Sequence, residues 1–473
     1  MEKYKIYAGG EFIETPLSLL VTSSYDNKAF AETYKADKDI LEHCIDKAEE
    51  AFKELKNLAA YEKSKILADI ANELSAQEEL FASIIAREAS KPWKYALAEV
   101  RRAVQTFTVA SEEAKRLPME YMRLDWSAGG KGRDGIVKYF PVGPIAGISP
   151  FNFPLNLAVH KIAPAIAAGC PIILKPASST PLTTLTLAKI IDKTDLPKGA
   201  VSILPMDRET GNLLVTSERL KLLTFTGSSE VGWKMKAQAG KKKVALELGG
   251  NAGTIVAETA DIEHAAKRCV VGGFAYQGQV CIHAQRIFVN SAVFDEFCDI
   301  FIPLVKELKF GNPLSKDTDI TSMIDEENAK RVESWVKEAL TEGAELLCGG
   351  KREGNYYYPT VITKTNPGMK VSCMEVFGPI VTLEAYDNFE DVVEKVNNTD
   401  YGLQAGIFTN KINELDYAYN NIEVGGLIHN DVPIFRTDHM PYGGVKDSGI
   451  GREGVKYSIH EMMEPKILVK YSH

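Results

Sequence analysis

The chain has 473 residues, a formal net charge of −9 and 45% hydrophobic residues. A chain of this length is too long to fold around one small hydrophobic core, which indicates about two to four domains. An acidic surface argues against a nucleic-acid partner, because phosphate backbones attract basic surfaces. The longest uncharged run, residues 139–160, contains four prolines and two asparagines, which argues against a membrane-spanning helix.

Cysteine usage indicates a reducing compartment. The chain has seven cysteines and no Cys-x-x-Cys pair, which is typical of reduced thiols rather than of a disulfide framework or a structural zinc site. Its first residues, "MEKYKIYAGGEF", carry charge where a secretory signal has an apolar segment. We therefore expect a cytoplasmic protein without a metal site and without a membrane or nucleic-acid partner.

In chain order, the apolar spacing changes several times. Residues 36–118 place apolar side chains three and four apart, which predicts helices. Two apolar runs around a Gly-rich turn at 121–140 predict a projecting β-hairpin, and "PKILVKYSH" at 465–473 predicts an edge strand. Residues 144–250 alternate apolar strands with helices, and a second α/β pattern fills 251–448. This alternation predicts parallel sheets covered on both faces, with ligands beyond the carboxyl ends of the strands.

Two sites at predicted strand ends suit a phosphate or a ribose. In "TFTGSSEVGWK", Gly227 follows a strand and Ser228 precedes a helix, whose free N–H groups would suit a pyrophosphate. A tight turn with Ser228 as the N-cap is the alternative. Lys175 is the last residue of an apolar strand, where a buried ammonium group needs a partner such as a ribose or phosphate. The alternative is that its side chain extends along the surface and places the ammonium group in solvent.

A carboxylate and a thiol are candidates for chemistry. Glu247 ends an apolar strand in "LELGGN", where burial would raise its pKa and suit a general base, although a structural ion pair is equally compatible. Cys281 follows Gly278 and Gln279 outside any apolar pattern, unlike Cys269, which we expect in the core. Cys281 is therefore a core thiol, a nucleophile, or one partner of a Cys–His pair with His283, as in acyl transferases.

Six motifs taken together resemble the aldehyde dehydrogenase superfamily. In order, they are "FNFP", "KPASSTP", "FTGS", "LELGGN", "GQVCI" and "EVFGP". The resemblance extends from about residue 5 to residue 470, and "HNDVPIFRTDHMPYGGVKDSG" is most similar to the branch of lactaldehyde and semialdehyde dehydrogenases. It implies NAD(P)-dependent oxidation of an aldehyde to its acid.

The resemblance implies a role for each motif. Cys281 would attack the aldehyde and carry a thiohemiacetal and then a thioester, Asn152 would donate to the oxyanion together with the Cys281 N–H, and Glu247 would activate water. The presence of Glu247 favours hydrolysis over transfer to coenzyme A. The implied cofactor-binding residues are Ile148, Ser149, Lys175, Phe225, Gly227, Ser228, Glu375 and Phe377.

One position departs from the NAD-using members. They often carry an acidic residue three places after the lysine, where this chain has Ser178. A carboxylate would repel a 2′-phosphate, whereas a serine would not, and Lys175 would add a charge-assisted contact. We therefore expect NADP to be accepted and preferred.

The same resemblance implies the domains and the substrate pocket. We expect an α/β fold with a Rossmann-like NAD(P)-binding domain at 1–120 and 142–248, a catalytic domain at 249–448, and a β arm for dimers or tetramers at 121–141 and 449–473. The expected pocket comprises Asn156, His160, Tyr276, Ile282, His283 and the 429–439 loop.

Two residues of that loop, Arg436 and His439, could bind the polar end of a short aldehyde such as lactaldehyde or a semialdehyde. Arg436 could instead pair with Asp431 or Asp438 within the loop. The competing functions are a Cys–His acyl transferase and a non-catalytic protein of the same fold.

Overall fold

A computed structural model describes residues 1–471. The α-helices are, in chain order, α1 (Lys38–Leu55), α2 (Ala60–Ala76), α3 (Glu78–Glu88), α4 (Trp93–Glu113), α5 (Asn156–Ala168), α6 (Leu182–Ile191), α7 (Arg208–Thr216), α8 (Ser229–Gln238), α9 (Ile262–Phe274), α10 (Phe294–Lys306), α11 (Glu326–Thr341), α12 (Lys370–Cys373), α13 (Phe389–Asn397), α14 (Ile412–Asn421) and α15 (Val455–Glu461).

The strands are β1 (Glu2–Lys3), β2 (Ile6–Ala8), β3 (Glu11–Ile13), β4 (Ser18–Thr22), β5 (Ala29–Tyr34), β6 (Met119–Arg123), β7 (Arg133–Pro141), β8 (Ile145–Ile148), β9 (Ile172–Lys175), β10 (Val201–Ile203), β11 (Leu222–Thr226), β12 (Lys243–Glu247), β13 (Gly253–Val256), β14 (Arg286–Asn290), β15 (Glu345–Cys348), β16 (Arg352–Glu353), β17 (Tyr356–Tyr357), β18 (Thr360–Thr363), β19 (Ile380–Tyr386), β20 (Tyr401–Gly402), β21 (Gln404–Phe408), β22 (Gly426–His429), β23 (Val445–Lys446), β24 (Gly449–Ile450) and β25 (Met463–Tyr471).

The first large sheet has the strand order β24-β12-β11-β8-β9-β10-β2-β3. Its five central strands, β12 to β10, are parallel, and antiparallel strands flank them, with β24 at one edge and β2 followed by β3 at the other. Strands β8 and β11 are buried at every residue, and so is helix α5, which packs on this sheet. The predicted parallel sheet covered by helices is confirmed for this part of the chain.

The second large sheet has the order β15-β18-β19-β14-β13-β21-β22. All its pairings are parallel except that of β15 with β18. Cys269 is fully buried in its apolar core, as its sequence context predicts. The chain thus contains two α/β units, which confirms the predicted fold class.

A three-stranded antiparallel sheet, β25-β7-β6, forms an arm. The predicted hairpin and tail strand both exist, and β25 pairs with β7 over its full length. Residues 449–461, which we assigned to the arm from sequence, lie elsewhere, because β24 pairs with β12 and α15 packs on α5. Residues 472 and 473 of the predicted arm lie outside the described residues. The division into functional domains stays a prediction.

No helix within residues 1–471 is both long enough and apolar enough to cross a membrane.

Candidate active site

Parallel pairing brings three predicted site residues to one edge of the first sheet. Glu247 pairs with Thr226 at the ends of β12 and β11, and Ile148 pairs with Lys175 at the ends of β8 and β9. Their side chains therefore share the carboxyl edge, where ligands of such sheets bind.

A strained turn presents Cys281. After α9 ends, Tyr276, Gln277 and Gly278 all have positive φ, and the chain reaches β14 only at Arg286. A Cβ at Gly278 would lie 2.2 Å from the carbonyl oxygen of Gly378, so this position requires glycine. Backbone strain of this kind persists where surrounding structure holds it, often at functional sites. Cys281 and Ile282 form a turn, and irregular backbone leads from there to β14.

The two glycines after Glu247 link the motifs in space. A Cβ at Gly249 would lie 2.3 Å from Oε2 of Glu375, and one at Gly250 would lie 2.2 Å from the carbonyl oxygen of Cys281. The Gly250 N–H donates to Glu375 Oε1 at 3.0 Å. Burial raises the pKa of Glu375 to about 7 despite this bond. The backbone at "LGGN" thus passes between the thiol loop and Glu375.

Cys281 lines a cavity and is not a core thiol. Its Sγ lies 3.1 Å from the hydroxyl of Tyr442, and the cavity beside it has a volume of about 170 Å³. Burial raises the pKa of the Cys281 thiol to about 11, whereas the Tyr442 hydrogen bond lowers it. The thiol is therefore mainly protonated at neutral pH in the free protein.

Asn152 is held beside the thiol loop. Its side-chain amide donates to the carbonyl oxygen of Gln279 at 3.0 Å, and its own carbonyl oxygen accepts from the buried amine of Lys91. Lys91 also pairs with Glu99, whose other oxygen accepts the N–H groups of Leu155 and Asn156. The segment that carries Asn152 is thus fixed from two sides.

Glu247 is a buried carboxylate with a free oxygen. Its side chain is 5% exposed, and its Oε2 has no hydrogen-bond partner among the described residues. Burial raises its pKa well above the ordinary value, and the charge of Glu453 adds to this effect. Glu453 itself accepts from Lys161 and Arg436, and although burial opposes it, these cations lower its pKa to about 2. Glu247 is therefore the protonatable member of this acidic pair.

The cavity at Cys281 is mostly apolar with two arginines. The lining residues are Tyr95, Ala98, Glu99, Arg102, Phe153, Asn156, Leu157, Ala275, Tyr276, Val280, Cys281, Ile282, Ile434, Arg436 and Tyr442. Five residues of the predicted pocket are among them: Asn156, Tyr276 and Ile282, with Ile434 and Arg436 from the 429–439 loop. The guanidinium of Arg436 lies 3.6 Å from the centre of the Tyr442 ring and pairs with Glu453 at 2.9 Å. It does not pair with Asp431 or Asp438, the partners considered from sequence.

Three histidines that we expected in the substrate pocket, His160, His283 and His439, do not line this cavity. The ring of His283 contacts the carbonyl oxygen of Gly273 at 2.8 Å, and burial lowers its pKa to about 4. It is a neutral core histidine and forms no pair with Cys281. His160 bonds Asp438 at 2.8 Å and thereby holds the loop rather than a ligand. His439 is exposed.

A second cleft, of about 800 Å³, lies at the carboxyl edge of the first sheet. Its lining includes Ile148, Lys175, Ser178 and Phe225, four of the residues predicted to bind the cofactor. The partly buried Lys175 amine donates a long hydrogen bond of 3.5 Å to the carbonyl oxygen of the adjacent Pro176, and burial lowers its pKa. Such an amine needs a ligand oxygen.

Other predicted cofactor residues also suit a ligand. The hydroxyl of Ser149 is buried without a partner within residues 1–471, and so is that of Ser229 at the start of α8. Ser228 is the N-cap of α8 but makes no capping bond, so its hydroxyl remains available, and Gly227 precedes it. Phe377 contacts Phe151, the neighbour of Asn152, at 5.9 Å between ring centres. A dinucleotide fits these groups.

Sequence reasoning missed five residues of this site. Tyr442 lay in a quoted motif but received no role, and Arg102, Lys91 and Arg208 were not considered. The sequence does mark Glu99, because a carboxylate there lies on the same helix face as the buried Val100 and Ala103. No local pattern marks the others, since their roles depend on contacts between distant segments.

A cavity lined by a thiol and a cleft of about 800 Å³ at the carboxyl edge of a parallel sheet suit a thiol-dependent oxidoreductase with a nucleotide cofactor. Comparison with known proteins then assigns the family. The sequence model of the aldehyde dehydrogenase family matches residues 14–468. A 3-sulfolactaldehyde dehydrogenase of Priestia aryabhattai is 43% identical over 470 residues, 99% of this chain and 98% of that protein.

Two solved structures agree with this assignment. Aldehyde dehydrogenase 21 from Physcomitrella patens, in complex with the reaction product succinate, has 47% identity and a TM-score of 0.98, covering 99% of this chain and 98% of its own. A glyceraldehyde-3-phosphate dehydrogenase from Methanocaldococcus jannaschii, complexed with NADP, has 38% identity and a TM-score of 0.92, covering 96% and 99%.

The chain therefore belongs to the aldehyde dehydrogenase family, which confirms the resemblance seen in the motifs. It is an NAD(P)-dependent oxidoreductase that acts on aldehydes. None of these comparisons supports a Cys–His acyl transferase.

Proposed function

We propose that this enzyme oxidises a short aldehyde with a polar or anionic far end, of the lactaldehyde or semialdehyde type, to its free acid. The observation that carries this proposal is the cavity at Cys281, which is small and contains two cations, Arg102 and Arg436. The similar proteins named for 3-sulfolactaldehyde and crystallised with succinate support an acidic group at the far end.

Cys281 is the proposed nucleophile. Its thiolate attacks the aldehyde carbon, and the Asn152 amide donates a hydrogen bond to the oxygen that becomes negative. A donor of this kind contributes roughly 3–4 kcal/mol in comparable sites. Bound NAD(P) supplies the hydride acceptor, and a thioester on Cys281 results. Glu247 then takes a proton from water, which attacks the thioester and releases the acid.

We assign anion recognition to the two arginines that line the cavity, Arg102 and Arg436. Arg102 pairs with Asp438 at 2.7 Å, and its side chain is 30% exposed. Arg436 has an Nε without a partner among the described residues. Both guanidinium groups therefore keep hydrogen-bonding capacity for an anion, as the bidentate geometry of arginine favours.

NADP is the proposed cofactor in preference to NAD. The cleft contains Ser178 and three cations, Lys175, Arg208 and Lys234, that suit a 2′-phosphate. Asp207 and Glu209 also line it, but Asp207 accepts the Thr210 N–H as a helix cap. Ile148, Ser149, Phe225, Gly227, Ser228, Glu375 and Phe377 complete the proposed binding surface.

We also propose a cytoplasmic homodimer or tetramer. All seven cysteines are free thiols, which supports a reducing compartment. Strand β25 is an exposed edge with apolar side chains, among them Ile467, Leu468 and Val469, and such an edge invites pairing with another copy.

A panel of aldehydes with NADP tests the substrate class. We expect kcat/KM for succinic semialdehyde to exceed that for butanal about ten-fold or more, because a charge-assisted hydrogen bond contributes about 1.5–3 kcal/mol. Arg102→Met should remove most of this preference. Arg101→Met is the matched control, since Arg101 lies on the same helix but pairs with Glu78 at the surface. Equal kcat/KM for the two aldehydes contradicts an anionic substrate, and turnover by Cys281→Ala contradicts the mechanism.

A further inference from the structure

Tyr442 is buried and its hydroxyl lies 3.1 Å from the sulfur of Cys281. Among residues 1–471, that sulfur is the one hydrogen-bond partner of the hydroxyl. A thiolate has no hydrogen and only accepts hydrogen bonds. Once Cys281 is ionised, the hydroxyl must therefore act as the donor of this contact.

The position of Tyr442 is fixed from three sides. Its backbone exchanges two hydrogen bonds with Glu453, an isolated antiparallel bridge with N···O distances of 3.0 and 2.6 Å. The side chain of Glu453 holds Arg436, and the Arg436 guanidinium covers the Tyr442 ring. Val280, Ile282 and Leu403 form one buried apolar cluster with Tyr442. The hydroxyl is thus preorganised rather than free to rotate away.

We infer that Tyr442 is a further catalytic residue, whose hydroxyl donates a hydrogen bond to the Cys281 thiolate and thereby stabilises the attacking form of the nucleophile. This inference rests on the proposed role of Cys281. Tyr442 keeps its own proton throughout, because burial holds its pKa well above the ordinary value. When sulfur bonds to the aldehyde carbon, it loses its negative charge and the hydrogen bond weakens.

The charged surroundings make this donor necessary. Burial and the carboxylates of Glu375 and Glu247 all raise the pKa of the Cys281 thiol, whereas the Tyr442 hydroxyl and the Arg436 charge lower it. Of these groups, the Tyr442 hydroxyl is the one within hydrogen-bonding distance of the sulfur in the described structure. The Arg436 guanidinium, 3.6 Å from the centre of the Tyr442 ring, adds a direct electrostatic stabilisation of the thiolate.

The rate of thiol alkylation in the NADP-loaded enzyme measures this effect directly. Tyr442→Phe removes one oxygen and keeps the ring that Arg436 covers. We expect the pH profile of iodoacetamide labelling at Cys281 to move up by about one pH unit. A thiol of higher pKa is also more nucleophilic, so the rate near neutral pH should fall only about three-fold. Thiolate ultraviolet absorbance, with Cys281→Ala subtracted, gives a second measurement of the same shift.

Tyr95→Phe is the matched control, because Tyr95 lines the same cavity but interacts with Lys94. Its labelling profile should coincide with that of the unmodified enzyme. Coincident profiles for Tyr442→Phe as well would overturn the inference, even if kcat fell. Aldehyde oxidation by Cys281→Ala would contradict the proposed function. If Cys281→Ala is inactive but the labelling profile of Tyr442→Phe is unshifted, only the role of Tyr442 is refuted.

Discussion

At the scale of single residues, burial decides the chemistry of otherwise ordinary side chains. Cys281 and Cys269 are both small thiols, but Cys269 lies in a closed apolar core and Cys281 faces a cavity. Glu247 and Glu453 are both buried glutamates, but the cations beside Glu453 keep it ionised and leave Glu247 to gain and lose a proton. Neighbours, rather than residue type, assign these roles.

Glu247→Gln should stop the reaction at the thioester. A general base contributes about 10²–10⁴-fold, so kcat should fall by at least about 10²-fold. Intact-mass measurement after mixing with substrate and NADP should show an acyl adduct on Cys281. The carboxylate is the active form and its pKa is raised, so kcat of the unmodified enzyme should rise with pH through that pKa, a limb that the variant lacks.

Glu464→Gln is a control for the Glu247 experiment, since Glu464 is an exposed glutamate near Lys243. It should keep the normal pH profile. Turnover of Glu247→Gln at the normal rate, without an adduct, would show that another group activates the water.

Ser178→Glu tests the origin of the cofactor preference. The new carboxylate would repel a 2′-phosphate in the cleft that Ser178 lines, and kcat/KM for NADP should fall at least about ten-fold, as expected for a like-charge contact. For NAD it should change little. Ser178→Gln separates charge from size, because glutamine has the same shape without the charge. If both cofactors lose affinity equally, Ser178 does not contact the 2′ position.

At the scale of elements, helix α4 connects the cofactor sheet with the thiol loop. Glu99 and Arg102 lie three residues apart on one face of α4, so both side chains line the substrate cavity. Glu99 caps the N–H groups at the start of α5 and Arg102 holds Asp438 of the following loop. One helix face therefore positions both the segment that carries Asn152 and the loop that carries Asp438.

Lys91→Met should destabilise the enzyme and misplace Asn152. Removing one partner of a buried ion pair costs about 3–5 kcal/mol, because the other charge stays buried and unpaired. The thermal unfolding midpoint should fall, and kcat should fall more than KM rises. In the double variant Lys91→Met with Glu99→Gln, part of the lost stability should return, since no charge remains buried.

Lys94→Met is the matched surface control for the Lys91 experiment. Lys94 pairs with Asp319 and its side chain is 43% exposed, so the change should alter stability by no more than about 0.5 kcal/mol. If Lys91→Met unfolds at the same temperature as Lys94→Met, the buried pair does not hold the oxyanion segment.

At the scale of the whole molecule, the arm carries apolar side chains that this chain alone leaves exposed. Ile467 and Val469 are 46% and 49% exposed on β25. Changing both to aspartate should weaken self-association, because charges would enter the apolar contact, and light scattering after size exclusion should report a smaller mass. Leu20→Asp, an exposed leucine on another sheet, should leave the mass unchanged. A monomeric unmodified enzyme would refute the proposed oligomer.

The sequence by itself determined the two α/β units and the chemical candidates at the strand ends. Strand–helix alternation is a local pattern, and parallel pairing then brings Lys175 and Glu247 to one edge without further information. The six motifs determined the family, because their order and spacing reflect the whole chain. They also singled out Cys281, although local residues left its role open.

Only the tertiary structure decided which groups face the thiol. Tyr442 lies 161 residues from Cys281 in the chain, and Asn152 lies 127 residues from its partner Gln279. The periodicity of a sequence carries no information about contacts between residues so far apart. His283 was therefore a candidate, although its ring contacts the carbonyl oxygen of Gly273, and Lys91, Arg102 and Tyr442 were missed. Burial, ion pairing and pKa arise from these long-range contacts, and they exist only once the chain is folded.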